Sequence, residues 1–278
     1  MELMDARPRL SVLIATCRPD GIDRVVAMDL PEVSGVHYWV SWQMHENLPV
    51  PEMLSLRKDM TVLRADTIGL SKNRNNLLEN ATGDVFLIAD DDLRYTSAQL
   101  VDVIRTFDEN PDIEYASFMF TGADAKIYPS RACPLWPVPK NFSQTSFEVA
   151  IRNNSRTATL RYNPFFGLGA PVLRSGEDEL LLLRAIRLRL NCQFFPVIIT
   201  HHEGLTTGTR KITDNGVLKA SGAVIAVQYP FTAFMRIPLK AYRLHKSGQS
   251  SFGRSLINML RGVYYLLRHR EVREKIYF

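Results

Sequence analysis

A Rossmann-like α/β fold, with a mostly parallel central sheet flanked by helices, is predicted by three features. These are short runs of apolar β-formers, amphipathic stretches between them, and polar loops where the runs end. Leu10–Ala15 (LSVLIA) and Val85–Ala89 (VFLIA) are almost uniformly apolar, as strands buried on both faces are. His37–Ser41 (HYWVS) reads as a second strand and Thr61–Arg64 as a third, with later ones at Tyr115–Phe120 and Phe194–Thr200. Ser71–Asn80 reads as a helix with Ser71 as N-cap and a stop near Gly83. Ser97–Glu109 is amphipathic, with Ser97 as N-cap and Asn110-Pro111 closing it. Gly176–Leu190 reads as a helix whose first turn carries Glu177, Asp178 and Glu179, where the helix dipole favours acids. Thr16–Gly21 reads as a loop after the first strand, and Pro129–Thr145, with four prolines, as an irregular loop over the site. Ligands of such sheets sit beyond the carboxyl ends of strands, so Thr16–Gly21 and Asp90–Asp92 are expected on one rim.

The 278 residues suffice for one catalytic domain with an appendage, expected here as residues 1–230 and a helical, basic C-terminal extension over 231–278. An apolar content of 46 % with 23 % charged residues excludes a disordered chain. No apolar run approaches the roughly 20 residues of a membrane-spanning helix. Asp5, between Met4 and Ala6, interrupts any apolar signal core. Cys17, Cys133 and Cys192 are far apart and odd in number, so reduced thiols and a cytoplasmic location are expected. The net charge of +5 is uneven: from Arg236 onward there are ten Lys/Arg against two Asp/Glu. That tail suggests an anionic partner. It lacks a recognisable nucleic-acid motif, so nucleic acid is not expected. Leu256, Ile257, Leu260, Val263, Tyr264 and Leu267 recur at helical spacing within Arg254–Phe278, beside Arg261, Arg268 and other cations. Such a helix either lies on an anionic membrane surface or packs its apolar face on the protein or a second subunit.

Three groups of residues could carry chemistry. Asp90-Asp91-Asp92 follows a buried strand directly. Adjacent carboxylates repel unless a cation or donors neutralise them, and hard oxygen ligands suit Mg²⁺ or Mn²⁺ bridging to phosphates. The same run also reads as a solvated acidic turn before a helix. Asp178, with Glu177, could act as a general base or simply cap its helix. His201 and His202 at a strand end could bind metal or be hydrogen-bonded loop residues. A nucleotidyltransferase would combine the same elements, but the loop after the first strand (ATCRPDG) has one Gly and one Arg, not a Gly-rich phosphate loop. A non-catalytic sugar-binding or scaffold protein is the other alternative.

The run GLSKNRNNLLENATGDVFLIADDDLRY (Gly69–Tyr95) resembles the family 2 glycosyltransferases of GT-A fold, with their Gly-x-Ser-x-x-Arg-Asn helix, strand and DxD motif. FFGLGAPVLRSGEDELLLLRA (Phe165–Ala185) is similar to the acceptor-side segment of bacterial capsule and exopolysaccharide members, and ITHHEGLTTG (Ile199–Gly208) to the segment that follows. The resemblance covers roughly residues 9–225. It implies an inverting transferase that uses a nucleotide-sugar, UDP first among them, with Mn²⁺ or Mg²⁺ and a glycan or lipid-linked acceptor. By the same resemblance Asp90, Asp92 and His201 are metal-side residues, with Asp92 the direct ligand. Asp90 and Asp91 stand beside the donor, Asp178 is the base, and Glu177 assists with the acceptor. Arg74 and Asn75 flank the donor, and Thr16 and Arg18 contact the nucleotide. The second strand ends Val40-Ser41-Trp42-Gln43 where many members carry acids, which passes base recognition to Gln43, Trp42 or Asp66.

Overall fold

The computed structural model describes residues 7–123, 126–140, 142–204 and 214–277. It divides into two compact units. The first comprises Met1–Ile68, Asn73–Arg161 and Ala185–Gly204, and the second Gly69–Lys72, Tyr162–Arg184 and Leu205–Phe278. This division does not follow the expected boundary at 230/231, because residues 162–184 and the helix over 215–228 group with the C-terminal helices.

The first unit holds the sheet. Its strands are β1 (Leu10–Cys17), β2 (Val36–Gln43), β3 (Met60–Ala65), β4 (Val85–Asp90), β5 (Leu93–Arg94), β6 (Tyr115–Gly122), β7 (Cys133–Pro134), β8 (Val149–Arg152) and β9 (Cys192–His202). They lie in the order β3-β2-β1-β4-β8-β6-β9-β5, with β7 paired to β9. The half β3-β2-β1-β4 is parallel, as is β6 with β9, whereas β8 runs antiparallel to both β4 and β6. The sheet is mostly parallel, as expected, and the short strands β5, β7 and β8 are its antiparallel members. Helices α1 (Pro19–Ala27) and α4 (Ser97–Glu109) pack on it through Ile22 and Val25 and through Leu100, Val103 and Phe107. Two short or straddling helices complete the early chain, α2 (Glu52–Ser55) and α3 (Leu70–Asn80).

Local chemistry explains where several elements begin. The cap of α4 is Thr96 rather than Ser97: its side chain accepts from the Gln99 amide while the Gln99 side chain accepts from the Thr96 amide. Helix α1 starts inside the segment expected to be a loop. Pro19 sits at its N-terminal end, where a missing N–H costs nothing.

The second unit has its own core. α5 (Glu177–Arg187), up to Arg184, joins α6 (Asn215–Gln228), α7 (Ala233–Lys246), α8 (Phe252–Arg268) and α9 (Arg270–Tyr277). Phe166, Leu180, Ala223, Leu266 and Ile276 share one cluster, and Leu218, Ile237, Leu244 and Met259 a second. Among the described residues no helix is long and apolar enough to cross a membrane. All three cysteines are free.

Helices α6 and α8 cross backbone to backbone. A Cβ at Gly262 would lie 1.8 Å from the Lys219 carbonyl oxygen, and one at Gly222 would lie 2.1 Å from that of Met259. Alanine ordinarily stabilises a helix relative to glycine by about 1 kcal/mol. Here the sign should reverse. Gly262→Ala and Gly222→Ala are each expected to destabilise by about 1–3 kcal/mol through overpacking, read as a lower midpoint in urea unfolding followed by helical circular dichroism.

Candidate active site

The register of the parallel strands sets the rim. Ala15 lies opposite Asp90, Thr16 opposite Trp42, and Gln43 opposite Ala65, so the ends of β1, β2, β3 and β4 are level. The triple aspartate leaves β4 at this rim, and each carboxylate meets a different partner.

Asp90 is held by Arg74. This guanidinium, 2 % exposed, projects from α3 and donates to Asp90 Oδ1 at 2.7 Å and to the Ser146 hydroxyl. Asp91 turns toward β1 and α1, accepting from the Thr16 hydroxyl and from Arg24 Nη2 at 2.9 Å. Burial pushes the Asp91 carboxyl up, and the bonds from Arg24 and Thr16 oppose that rise. The bond to Asp91 in turn holds the Arg24 guanidinium well above its ordinary value. Burial, with the Asp91 charge adding to it, raises the Cys17 thiol. Asp92, half exposed, faces His202, whose Nε2 lies 3.3 Å from Asp92 Oδ2. The buried His202 ring stacks on Phe147 at 5.3 Å between centroids.

The β5–β9 pairing decides which histidine this is. Leu93 pairs with His202 and Arg94 with His201, so the residue before Leu93 reaches His202. Successive strand residues alternate faces, and His201 instead makes a 3.0 Å hydrogen bond to Thr121 Oγ1. His202, not His201, is the histidine brought to Asp92. Both lie inside β9 rather than after it. Residues 205–208 of the segment Ile199–Gly208 lie outside the described residues.

The loop after β1 is strained. Arg18 has φ 69° and ψ 165°, a region almost confined to glycine. It is pinned there by its N–H on the Gln43 carbonyl and by the Trp42 indole N–H on its own carbonyl, both at 2.8 Å. Trp42 is thus fully buried with its donor used and cannot read a base. Gln43 is buried and donates to Thr67 Oγ1. Asp66 is fully exposed, with His45 Nε2 3.6 Å away. Asn75 is half buried. It is Asn73 that ties α3 to β1, through a 2.8 Å bond to the Thr16 carbonyl.

Glu177 and Asp178 belong to the second unit, in the first turn of α5. Glu177 is buried, and a Cβ at Gly167 would lie 3.1 Å from its carboxyl carbon, so the Phe166–Leu173 loop closes over it. That loop is anchored by Ser71 Oγ donating to the Phe166 carbonyl at 2.6 Å and by the Leu70 amide on the Leu168 carbonyl. Asp178 is half buried and so the more accessible of the two.

Sequence reasoning missed Arg24, Asn73, His45 and Ser146. Only Arg24 left a signal, its i,i+4 spacing from Asp20 on a helix behind Pro19.

The implied divalent metal can be tested against these side chains. Among the described residues no three His, Cys, Asp or Glu groups cluster closely enough to hold an ion by themselves. Asp92 and His202 converge, and Asp90 Oδ1 is committed to Arg74. Two protein donors fit Mg²⁺ or Mn²⁺ when phosphate oxygens and water complete the shell.

The carboxylates should separate by stability. Asp90→Asn removes the charge facing a buried guanidinium and is expected to cost about 1–3 kcal/mol. Asp92→Asn, at a half-exposed site, should stay within about 0.5 kcal/mol of the parent. Urea titrations of both variants check this, and equal effects would contradict the pairing described.

Residues 50–166 match the family model for glycosyl transferase family 2. No curated protein matches the chain. Solved structures of Staphylococcus aureus TarS are similar in fold. TarS 1-349 superposes with a TM-score of 0.54 at 17 % identity over 78 % of this chain and 65 % of that one. The same fragment with UDP gives 0.54 at 16 % over 78 % and 65 %, and with UDP-GlcNAc 0.53 at 16 % over 78 % and 66 %. The chain thus spans about two thirds of the length of the TarS fragment, and 40 % of the longer TarS structure. The matched segment runs from before α2 to Phe166 and contains Arg74 and the three aspartates; over those residues the chain is similar to the family 2 glycosyltransferases, and its α/β fold is that of the TarS structures.

Proposed function

We propose that the protein transfers a sugar, with inversion, from a nucleotide-diphosphate donor to a hydroxyl of a glycan or lipid-linked acceptor in surface polysaccharide synthesis. The observation that carries this reading is the placement of Arg74, Asp90 and Asp92, inside the family 2 segment, at the carboxyl end of β4. A UDP-sugar is the donor we favour, supported by the likeness in fold to TarS structures with UDP and UDP-GlcNAc. Free thiols agree with a cytoplasmic location.

Thr16 and Arg18 border the nucleotide, with Asp66, His45 and Gln43 at the base end. Arg74 and Asn75 lie on the donor side. Arg74 fixes Asp90 in one rotamer by its bond, so that carboxylate is presented to the sugar without reorganisation. Asp92 and His202 would hold the divalent cation, which when bound neutralises charge on the departing diphosphate. The acceptor oxygen attacks the anomeric carbon as its proton passes to the Asp178 carboxylate. The bond from that carbon to the diphosphate oxygen breaks, and the nucleoside diphosphate leaves with its electron pair.

A ligand that binds only the folded chain raises its melting temperature. UDP with Mn²⁺ is therefore expected to raise Tm more than either alone. Asp92→Asn should lose the Mn²⁺-dependent increment. If no nucleoside diphosphate shifts Tm with or without metal, the donor assignment fails.

Asp178→Asn should retain the donor shift but transfer sugar more slowly by about 10²-fold or more, the order expected for a lost general base. Radiolabelled transfer from a panel of nucleotide sugars measures it. Transfer at the parental rate would remove Asp178 from the mechanism, and loss of the donor shift would assign it to donor binding instead.

A further inference from the structure

The second unit carries an exposed surface that neither its core nor the transfer reaction uses. Helix α7 packs inward through Ile237, Ala241 and Leu244, yet Phe234, Met235, Leu239 and Tyr242 form a second apolar stripe, turned to solvent. Phe231, in the turn just before, continues the stripe. Phe231 is 89 % exposed, Phe234 73 % and Met235 63 %. Helix α8 repeats the pattern. Met259 and Leu266 are buried, and Leu256 and Val263 pack against the core, while Ile257, Leu260, Tyr264 and Leu267 are each at least half exposed. The apolar face read from the sequence of α8 is therefore two faces, one used for packing and one left outward.

The charge beside these stripes has one sign. Residues 215–270 contain nine Lys/Arg and no Asp or Glu. Arg236, Lys240 and Arg243 border the stripe on α7, and Arg261 and Arg268 that on α8. The guanidinium of Arg236 lies 3.7 Å from the centroid of the Tyr229 ring, and Arg268 bonds the Tyr264 hydroxyl, so both cations are held next to apolar surface. A second copy meeting this face would set like charges against each other. Exposed aliphatic and aromatic side chains rimmed by cations, without a carboxylate, match a surface that is apolar beneath and anionic above.

We propose that α7 and α8 dock this protein on an anionic lipid bilayer. Phe231, Phe234, Met235 and Tyr264 enter the acyl boundary while Arg236, Lys240, Arg243 and Arg261 meet lipid phosphates. The inference does not depend on the transferase reading.

Cosedimentation of the full chain with vesicles tests it. Wild type is expected to sediment with phosphatidylcholine vesicles containing phosphatidylglycerol, and less so as salt rises. Vesicles of phosphatidylcholine alone should bind it at least about tenfold more weakly. The exposed-residue variants Phe231→Ser/Phe234→Ser/Met235→Ser and Arg236→Glu/Arg243→Glu should each lower binding by about tenfold or more, with unfolding midpoints unchanged. Their thermal response to UDP and Mn²⁺ should equal that of wild type, which separates failure of docking from failure of the donor assignment. Full chain that stays in the supernatant at low salt overturns the proposal. So do variants that bind as wild type does, or a concentration-dependent dimer of the wild type that these variants abolish.

Discussion

Three adjacent carboxylates at the end of a buried strand are the constraint around which the first unit is arranged. Unit charges about 4 Å apart interact by roughly 4 kcal/mol at an effective dielectric of 20. Asp90, Asp91 and Asp92 therefore cannot share one environment. The fold separates them. Arg74 comes from α3, Arg24 and Thr16 from α1 and β1, and His202 from the far side of the sheet through β5. Elements distant in sequence converge on one short segment, each bringing a cation, a donor or an imidazole.

This convergence also fixes the loop after β1. Asp91 draws Thr16 and Arg24 together, and Gly21 permits it, since a Cβ there would lie 2.3 Å from Thr16 Oγ1. Arg18 is carried into a conformation that costs of order 1–3 kcal/mol for a residue with a side chain. The bonds from Trp42 and to Gln43 offset that cost. A loop held by this many partners has little freedom left to lose when a ligand arrives, which is how strain at a site becomes preorganisation.

Elements with a strong local signal were legible in the sequence. β1 and β4 are apolar runs with abrupt polar ends, and α4 has both a period and an N-cap, read one residue late as Ser97. Helix α1 was hidden because Pro19-Asp20-Gly21 carries loop residues, although proline at a helix start is favourable. Strands β5 and β8 have two and four residues and too little pattern to register. With β7 they are the antiparallel members of an otherwise parallel sheet. They also explain the exchange of the two histidines, since which one faces Asp92 depends on the β5–β9 register, a nonlocal pairing that no window around His201 contains. The aspartates were visible as an anomaly of charge. Of their partners, Arg74 and Thr16 were named by the resemblance, whereas the spacing of Arg24 from Asp20 marks a helix face and does not point to Asp91.

Charge is handled differently in the second unit, and helix electrostatics accounts for part of it. Arg243 and Lys246 lie in the last turn of α7 and Arg268 in the last turn of α8, where a cation is favoured by the carbonyl end of the helix. Arg254 stands in the first turn of α8, where the dipole opposes it, and a bond to Asn215 Oδ1 holds it. Lys240 and Arg261 are mid-helix and gain nothing from either terminus. Their segment supplies no carboxylate to pair with them, so the arrangement raises self-repulsion within the unit with no local return. Folding alone does not call for these two charges, set as they are beside apolar side chains turned to solvent. An external surface of opposite sign does, and it would lower the energy of the cations and the apolar stripe together.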